Sequence, residues 1–195
     1  MSPTTAQLQI RQLAAKARVF GLADNPALLK EHQRVLAEAD QAKRLLSSAE
    51  LRDLCANSGT GTAALEQLQD QVEALVDASR KALLGKQPEL VQPGGALYPE
   101  DRAEACWRDC YHFLRVSCYG AACAESAICD PDGMAALGEL YALLGVPTDA
   151  LQLALIELRT RACAAYTDAG ATPQEVDVLK GAIAELERWI SRFCG

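Results

Sequence analysis

Apolar residues recur at intervals of three and four along much of the chain, which is the spacing of one face of an α-helix. This pattern predicts amphipathic helices over residues 5–20 and 26–46 and a longer helix over residues 63–84. Their apolar stripes are formed by Leu8, Leu13, Ala14 and Ala17, by Leu28, Leu29, Val35, Leu36 and Ala39, and by Leu65, Leu68, Val72, Leu75 and Val76.

Local signals divide the rest of the chain into further helices. Ser47 stands three residues before Glu50, the spacing of a capping box, so a helix is expected to begin there. The glycines and Asn57 of residues 55–62 predict a turn, and the prolines and glycines of residues 85–99 predict a loop. Helices are then expected over residues 99–125, 134–144, 148–166 and 172–193. Because aromatic residues make up only 5% of the chain, few strand-forming runs remain, and we predict an all-α fold.

Length and charge narrow the classes of function. The 195 residues, half of them hydrophobic, suffice for the core of one ordinary domain. A net charge of −7 without a polybasic run makes nucleic acid an unfavourable partner. The first residues lack the apolar core of a signal peptide, and no apolar run is long enough to span a membrane, so we expect a cytoplasmic protein.

Eight cysteines are the most unusual feature of the composition, and five of them lie between residues 106 and 129. Structural zinc sites usually use closely spaced pairs of ligands on turns, whereas most of these cysteines share one predicted helix, so we expect no metal site. A Cys–His nucleophile is disfavoured because His112 points about 120° away from Cys106 around that helix. Disulfides and an enzymatic activity are likewise not expected. Packing as small hydrophobic residues is the simplest role for Cys55, Cys118, Cys123, Cys129, Cys163 and Cys194.

The surroundings of Cys106 carry a family resemblance. The segment Cys106-Trp107-Arg108-Asp109, followed by Leu114-Arg115 and Tyr119-Gly120, resembles the chromophore segment of phycobiliproteins. Upstream, the loop from Lys86 to Gly95 is similar to that of allophycocyanin α subunits, which makes the chain allophycocyanin-like. Further similarities are Gly138-Glu139-Leu140-Tyr141, Leu144-Gly145-Val146-Pro147, and the set Asp40, Arg44, Leu46, Ser47, Glu50 and Leu51.

The resemblance implies a globin-like bundle preceded by a helical hairpin that docks on a partner subunit. Residues 1–39 would then form an N-terminal helical extension and hairpin, and residues 40–195 the globin-like, bilin-binding domain. Asp40 and Arg115 correspond to charged positions that pair between two phycobiliprotein subunits, in a heterodimer or a homodimer. An exposed helix charge is the alternative for each of them.

The resemblance also implies a cofactor, phycocyanobilin or a related linear tetrapyrrole, linked to Cys106 by a thioether. Asp109 would accept hydrogen bonds from the pyrrole N–H groups and favour the protonated pigment, and Arg108 would bind a propionate. Cys106 and Asp109, three residues apart, share a helix face, whereas Arg108 lies about 160° from Cys106. A solvated charge pair is the alternative for Arg108 and Asp109.

Tyr119 and Tyr141 are candidates to line the same pocket, with core packing as the alternative. The chain departs from the family pattern at Trp107, at His112 and at Cys123-Ala124-Glu125, and in its longer N-terminus. The function implied is light harvesting or energy transfer in the phycobilisome, at the cytoplasmic face of the thylakoid membrane, after a bilin lyase has acted transiently. The alternative is a photosensory or photoprotective homodimer that carries a bilin outside the phycobilisome.

Overall fold

The computed structural model describes residues 4–193, and this part of the chain is helical with no strand. The α-helices are α1 (Thr5–Lys16), α2 (Lys30–Gln41), α3 (Ser48–Ser58), α4 (Thr62–Asp70), α5 (Val72–Lys86), α6 (Glu100–Ala122), α7 (Pro131–Leu144), α8 (Thr148–Asp168) and α9 (Pro173–Phe193). Two 3₁₀ turns, Leu22–Asp24 and Pro88–Val91, lie between them. The predicted all-α fold is confirmed. None of the described helices is long and apolar enough to cross a membrane.

Helix ends follow local signals where such signals exist. The Ser47 hydroxyl accepts from the Glu50 amide, and the Glu50 carboxylate accepts from the Ser47 amide, so the predicted capping box is confirmed. The turn predicted over residues 55–62 was too long, because α3 continues to Ser58 and ends at Gly59 in the left-handed region, φ 76°. The helix predicted over residues 63–84 is broken at Gln71, whose φ of −102° and ψ of 0° leave the helical region.

The helix α6 runs through the centre of the molecule. It packs against α4, α5, α8 and α9, and every residue from 113 to 123 is buried. The second half of α6 therefore belongs mainly to the core, whereas its first half includes exposed positions such as Arg108. This arrangement places Cys106, Arg108 and Asp109 near the surface and the later cysteines of α6 in the core.

The N-terminal segment is laid on the body of the protein. The helix α1 packs against α7 and ends at Lys16, earlier than predicted, because Ala17 turns into an extended conformation. Phe20 then pairs with Cys129 in an isolated antiparallel bridge. The Gly21 amide donates to the Ile128 carbonyl at 2.8 Å, and the Asp130 amide donates to the Val19 carbonyl at 2.8 Å. The chain after α1 is therefore fixed to the connection between α6 and α7.

Candidate functional site

A cavity of about 420 Å³ lies between α6, α7 and the beginning of α8. Cys106, Arg108 and Asp109 reach it from α6, and Tyr141 reaches it from α7. The remaining lining side chains are mostly apolar: Ala105, Leu137, Leu140, Leu144, Val146, Pro147 and Leu151. The volume and the lining, apolar with a few convergent polar groups, are those of a small-molecule site. Four of the five predicted site residues thus line one cavity.

Asp109 and Tyr141 form the polar centre of this cavity. The Tyr141 hydroxyl donates a hydrogen bond of 2.6 Å to the Asp109 carboxylate. Burial raises the pKa of Asp109 above its ordinary value, and the hydrogen bond from Tyr141 and the charge of Arg108 offset this only in part. Burial also raises the pKa of Tyr141, with a further contribution from Asp109. Asp109 is therefore a desolvated carboxylate able to accept further hydrogen bonds from a ligand.

Arginines stand at the rim of the cavity. The Arg108 side chain is 66% exposed, and its Nε lies 4.0 Å from a carboxylate oxygen of Asp109, too far for a hydrogen bond. Arg102 lines the same cavity, and sequence reasoning missed it. Its position four residues before Cys106 was the available signal, because residues four apart share a helix face.

Cys106 has a second thiol beside it. It lies on α6 with only 6% of its surface exposed, and Cys110 follows one helical turn later. The hydrogen bond with Cys106 and burial raise the pKa of the Cys110 thiol well above its ordinary value. Of these two thiols, Cys106 lines the cavity and Cys110 does not.

Tyr119 lies away from this cavity. It is 13 residues after Cys106 on α6, which is about 20 Å along the helix axis. Its hydroxyl accepts from the Arg115 guanidinium at 2.6 Å and donates to the Arg44 carbonyl, and burial raises its pKa to about 12. The structure therefore places Tyr119 in the core, against the chain around Arg44, and not among the pocket residues.

Asp40 and Arg115, which the resemblance implied at a subunit boundary, contact each other within this chain. The Arg115 guanidinium donates to the Asp40 carboxylate at 2.7 Å, and its side chain is only 2% exposed. The physical reason is that the end of α2 lies over the buried half of α6, so the carboxylate closes over a guanidinium that is already in the core. Arg115 is thus not available on the surface of this chain.

The other cysteines behave mainly as packing residues. Cys55, Cys118 and Cys123 are buried, whereas Cys129 and Cys163 are half-buried. Cys194, predicted to pack in the same way, lies outside the described residues. The seven cysteines within residues 4–193 are all free, and no group of three His, Cys, Asp or Glu side chains in that range could hold a metal ion.

Comparisons with known proteins agree with this geometry. The pattern that defines the phycobilisome protein family matches residues 34–188. The C-phycocyanin β chain of Pyropia haitanensis is 30% identical over 168 residues, which is 85% of this chain and 96% of the relative. That of Porphyra purpurea is 31% identical over 150 residues, 75% of this chain and 87% of the relative.

The R-phycocyanin β chain of Polysiphonia urceolata is 29% identical over 149 residues, 75% of this chain and 87% of the relative. These relatives are phycocyanin chains, so they support the family and leave the allophycocyanin-like subtype a prediction. With residues 34–188 matched and its all-helical fold, the chain belongs to the phycobilisome protein family, the phycobiliproteins.

Proposed function

We propose that this chain is a light-absorbing protein that holds phycocyanobilin or a related linear tetrapyrrole through a thioether on Cys106. The observation that carries the proposal is the convergence of Cys106, Arg108, Asp109 and Tyr141 on one cavity of about 420 Å³. Phycobiliproteins bind bilins covalently at cysteine, and the position and identity of the bilin on this chain are the parts that we propose.

The donor and acceptor groups suit a tetrapyrrole. Among residues 4–193, Tyr141 is the one side chain that donates a hydrogen bond to Asp109, and the nearest ion-pair partner, Arg108, lies 4.0 Å away. A buried carboxylate in this state gains most from a ligand that brings both N–H donors and positive charge, as the protonated pyrrole groups of a bilin do. The apolar side chains from α7 and α8 offer flat surfaces for the rings.

Each polar residue has a separate part in this proposal. The Cys106 sulfur adds to one carbon of a double bond at ring A and the thiol proton goes to the neighbouring carbon, so nothing is oxidised and no group leaves. Arg108 and Arg102 stand at the rim, where guanidinium groups bind propionates through paired donors. Tyr141 holds the Asp109 carboxylate in place. A pigment held at both its tether and its centre loses less energy through torsional motion.

In the cell we place this chain in light harvesting or energy transfer with the phycobilisome, as an allophycocyanin-like subunit at the cytoplasmic face of the thylakoid membrane. Phycobiliproteins assemble with other phycobiliprotein subunits, and we infer such a partner here, with a bilin lyase acting transiently. Because Arg115 is buried in its pair with Asp40, the partner is expected to meet the chain elsewhere than at that pair. The family consists of pigment proteins, and we propose no catalytic step for this one.

Co-expression with bilin-forming enzymes and a lyase tests the proposal. The product is run on a denaturing gel and viewed for zinc-enhanced bilin fluorescence. We expect a fluorescent band from the wild type and none from Cys106→Ala. Cys118→Ala is the matched control, because Cys118 is on the same helix but fully buried away from the cavity. Absence of the band in the wild type refutes the pigment function, and its persistence in Cys106→Ala moves the attachment, with Cys110→Ala as the next variant.

The photosensory or photoprotective homodimer is the second candidate, and the N-terminal segment is the observation that favours it. The match to the family begins at residue 34, and residues 5–24 are fixed on the body of the protein instead of standing free for a partner. Co-sedimentation with phycobilisomes separates the two functions. Antenna membership requires it, and a free sensor should remain in the supernatant as a dimer.

A further inference from the structure

The segment of residues 17–24, here called the clip, joins α1 to the rest of the chain through long-range contacts. Its Phe20 and Leu22 are both only 2% exposed, and the Phe20 ring packs edge-on against Tyr119 with ring centroids 5.3 Å apart. Arg18 pairs with Asp130 on the body and with Asp24 within the clip. Because two large apolar side chains are fully buried, the clip is a packed part of the molecule.

Glycines on both sides make the contact between clip and body unusually close. A Cβ placed on Gly133 would overlap the backbone of Arg18, and its three nearest neighbours all belong to that residue. On the clip itself, a Cβ on Gly21 would lie 2.8–2.9 Å from backbone atoms of Cys129 and Asp130. Neither surface can yield by moving a side chain, so a methyl group at either position must displace the clip.

The clip also lines a second cavity of about 190 Å³ that adjoins the candidate site. Ala17, Arg18 and Val19 form one wall of it, and Asp109 and Tyr141 line it as well as the larger cavity. The other lining residues are Asp40, Lys43, His112, Phe113, Arg115, Val116 and Leu137. Asp109 and Tyr141, at the centre of the site, therefore border two cavities, one of which is lined in part by residues that precede the family match.

We propose that the clip is the rear wall of the pigment site, the rear being the side of the second cavity, and that it limits the access of water to Asp109 and Tyr141 through that cavity. Residues 17–19 are thus positioning residues for the site. The residues that line its larger cavity all lie between residues 101 and 151. The inference rests on the proposed function only in calling the occupant a pigment, because the wall itself is present without one. Displacement of the clip opens the rear of the site and leaves Cys106 in place.

Bilin-free protein gives the first test, with Gly133→Ala compared with Gly85→Ala. The added methyl group at Gly85 meets nothing within 4 Å, which makes it the matched control. In Gly133→Ala we expect the amides of Gly21 and Asp130 to exchange with solvent about tenfold faster, with increased trypsin cleavage after Arg18. Amides in the middle of α6 should keep wild-type exchange. Unchanged exchange at Gly21 and Asp130 would overturn the inference.

The same proteins then report on the rear of the site through nitration of Tyr141, followed by peptide mass spectrometry. We expect Gly133→Ala to raise nitration of Tyr141 about tenfold and Gly85→Ala to leave it unchanged. If hydrogen exchange shows that the clip is displaced but nitration of Tyr141 is unchanged, the proposal that the clip walls the site is refuted. If Gly133→Ala does not fold, Gly21→Ala carries the same test from the other surface.

Bilin-loaded protein gives the third readout. We expect the zinc-stained band to remain in Gly133→Ala while bilin fluorescence falls several-fold and the pigment N–H groups exchange faster in D₂O. Equal fluorescence and exchange rate in Gly133→Ala and wild type would overturn the wall. Failure of the wild type to take up bilin would refute the proposed function alone, because exchange and nitration need no pigment.

Discussion

Replacing Asp109 by asparagine should make the bilin-free protein more stable. In the bilin-loaded protein the same change should remove the absorbance of the protonated pigment. Asp109 is a half-buried carboxylate, its side chain 23% exposed, with one side-chain hydrogen bond from Tyr141 and the Arg108 guanidinium at 4.0 Å. Burial raises the pKa of Asp109 above 3.8, so the ionised form is less favourable in the folded chain than in the unfolded one. The wild type therefore carries a cost at neutral pH that the neutral asparagine does not.

The expected gain is about 1 kcal/mol in the free energy of unfolding, at the lower end of the cost of an undersatisfied buried group because Tyr141 keeps a partner. A carboxyl group with a raised pKa destabilises the fold above its unfolded value and has no effect below it. The difference between Asp109→Asn and wild type should therefore shrink as the pH falls from neutral towards 3.8.

Urea unfolding at neutral and mildly acidic pH measures this difference. Asp101→Asn is the control, because Asp101 lines the same cavity but is exposed, and its effect should stay within about 0.5 kcal/mol. In loaded protein, Asp109→Asn should lose the absorbance of the protonated bilin while the pigment stays attached to Cys106. A lower stability of Asp109→Asn at neutral pH would refute the assignment of Asp109 as an undersatisfied, functional carboxylate.

Two further predictions concern the frame of the site. Asp40→Ala should lower the free energy of unfolding by about 3 kcal/mol, because it leaves the buried Arg115 guanidinium without its carboxylate. Thermal unfolding measures this loss, and a value no larger than the roughly 1 kcal/mol of an exposed ion pair would refute the prediction. Glu50→Gln should cost about 1 kcal/mol at neutral pH, because hydrogen bonds from Arg44 lower the pKa of Glu50 to about 2. That stabilisation is complete above 4.5 and is lost as the pH falls towards 2, so urea unfolding of Glu50→Gln and wild type should converge in acid.

The sequence was informative where the physical cause is local. The capping box of Ser47 and Glu50, the glycine end of α3 and the shared helix face of Cys106 and Asp109 all depend on residues within one turn of each other. No proline or glycine indicates the break at Gln71, so the periodic apolar stripe predicted one continuous helix through it.

The candidate site was only partly predictable for the same reason. Tyr119 was predicted as a pocket residue but packs in the core about 20 Å further along α6 than Cys106. The contact of Tyr141 with Asp109 depends on how α7 is placed beside α6. The bridge between Phe20 and Cys129 joins distant parts of the chain through backbone groups. Every residue carries such groups, so the bridge leaves no residue pattern in either segment. The glycines at positions 21 and 133 allow this close contact, but a glycine in the sequence does not indicate which residue it contacts.

The two halves of α6 explain why stability and function should respond to different substitutions. In the second half, packing on every side holds the helix in place, so changes at Cys118 or Tyr119 act on the core. In the first half, Cys106 and Asp109 face the cavity, and the half-buried Asp109 carboxylate accepts one side-chain hydrogen bond, from Tyr141, within residues 4–193. Packing of the second half of α6 holds the first half in position. The Asp109 carboxylate can therefore remain desolvated and accept hydrogen bonds from a ligand that brings its own donors.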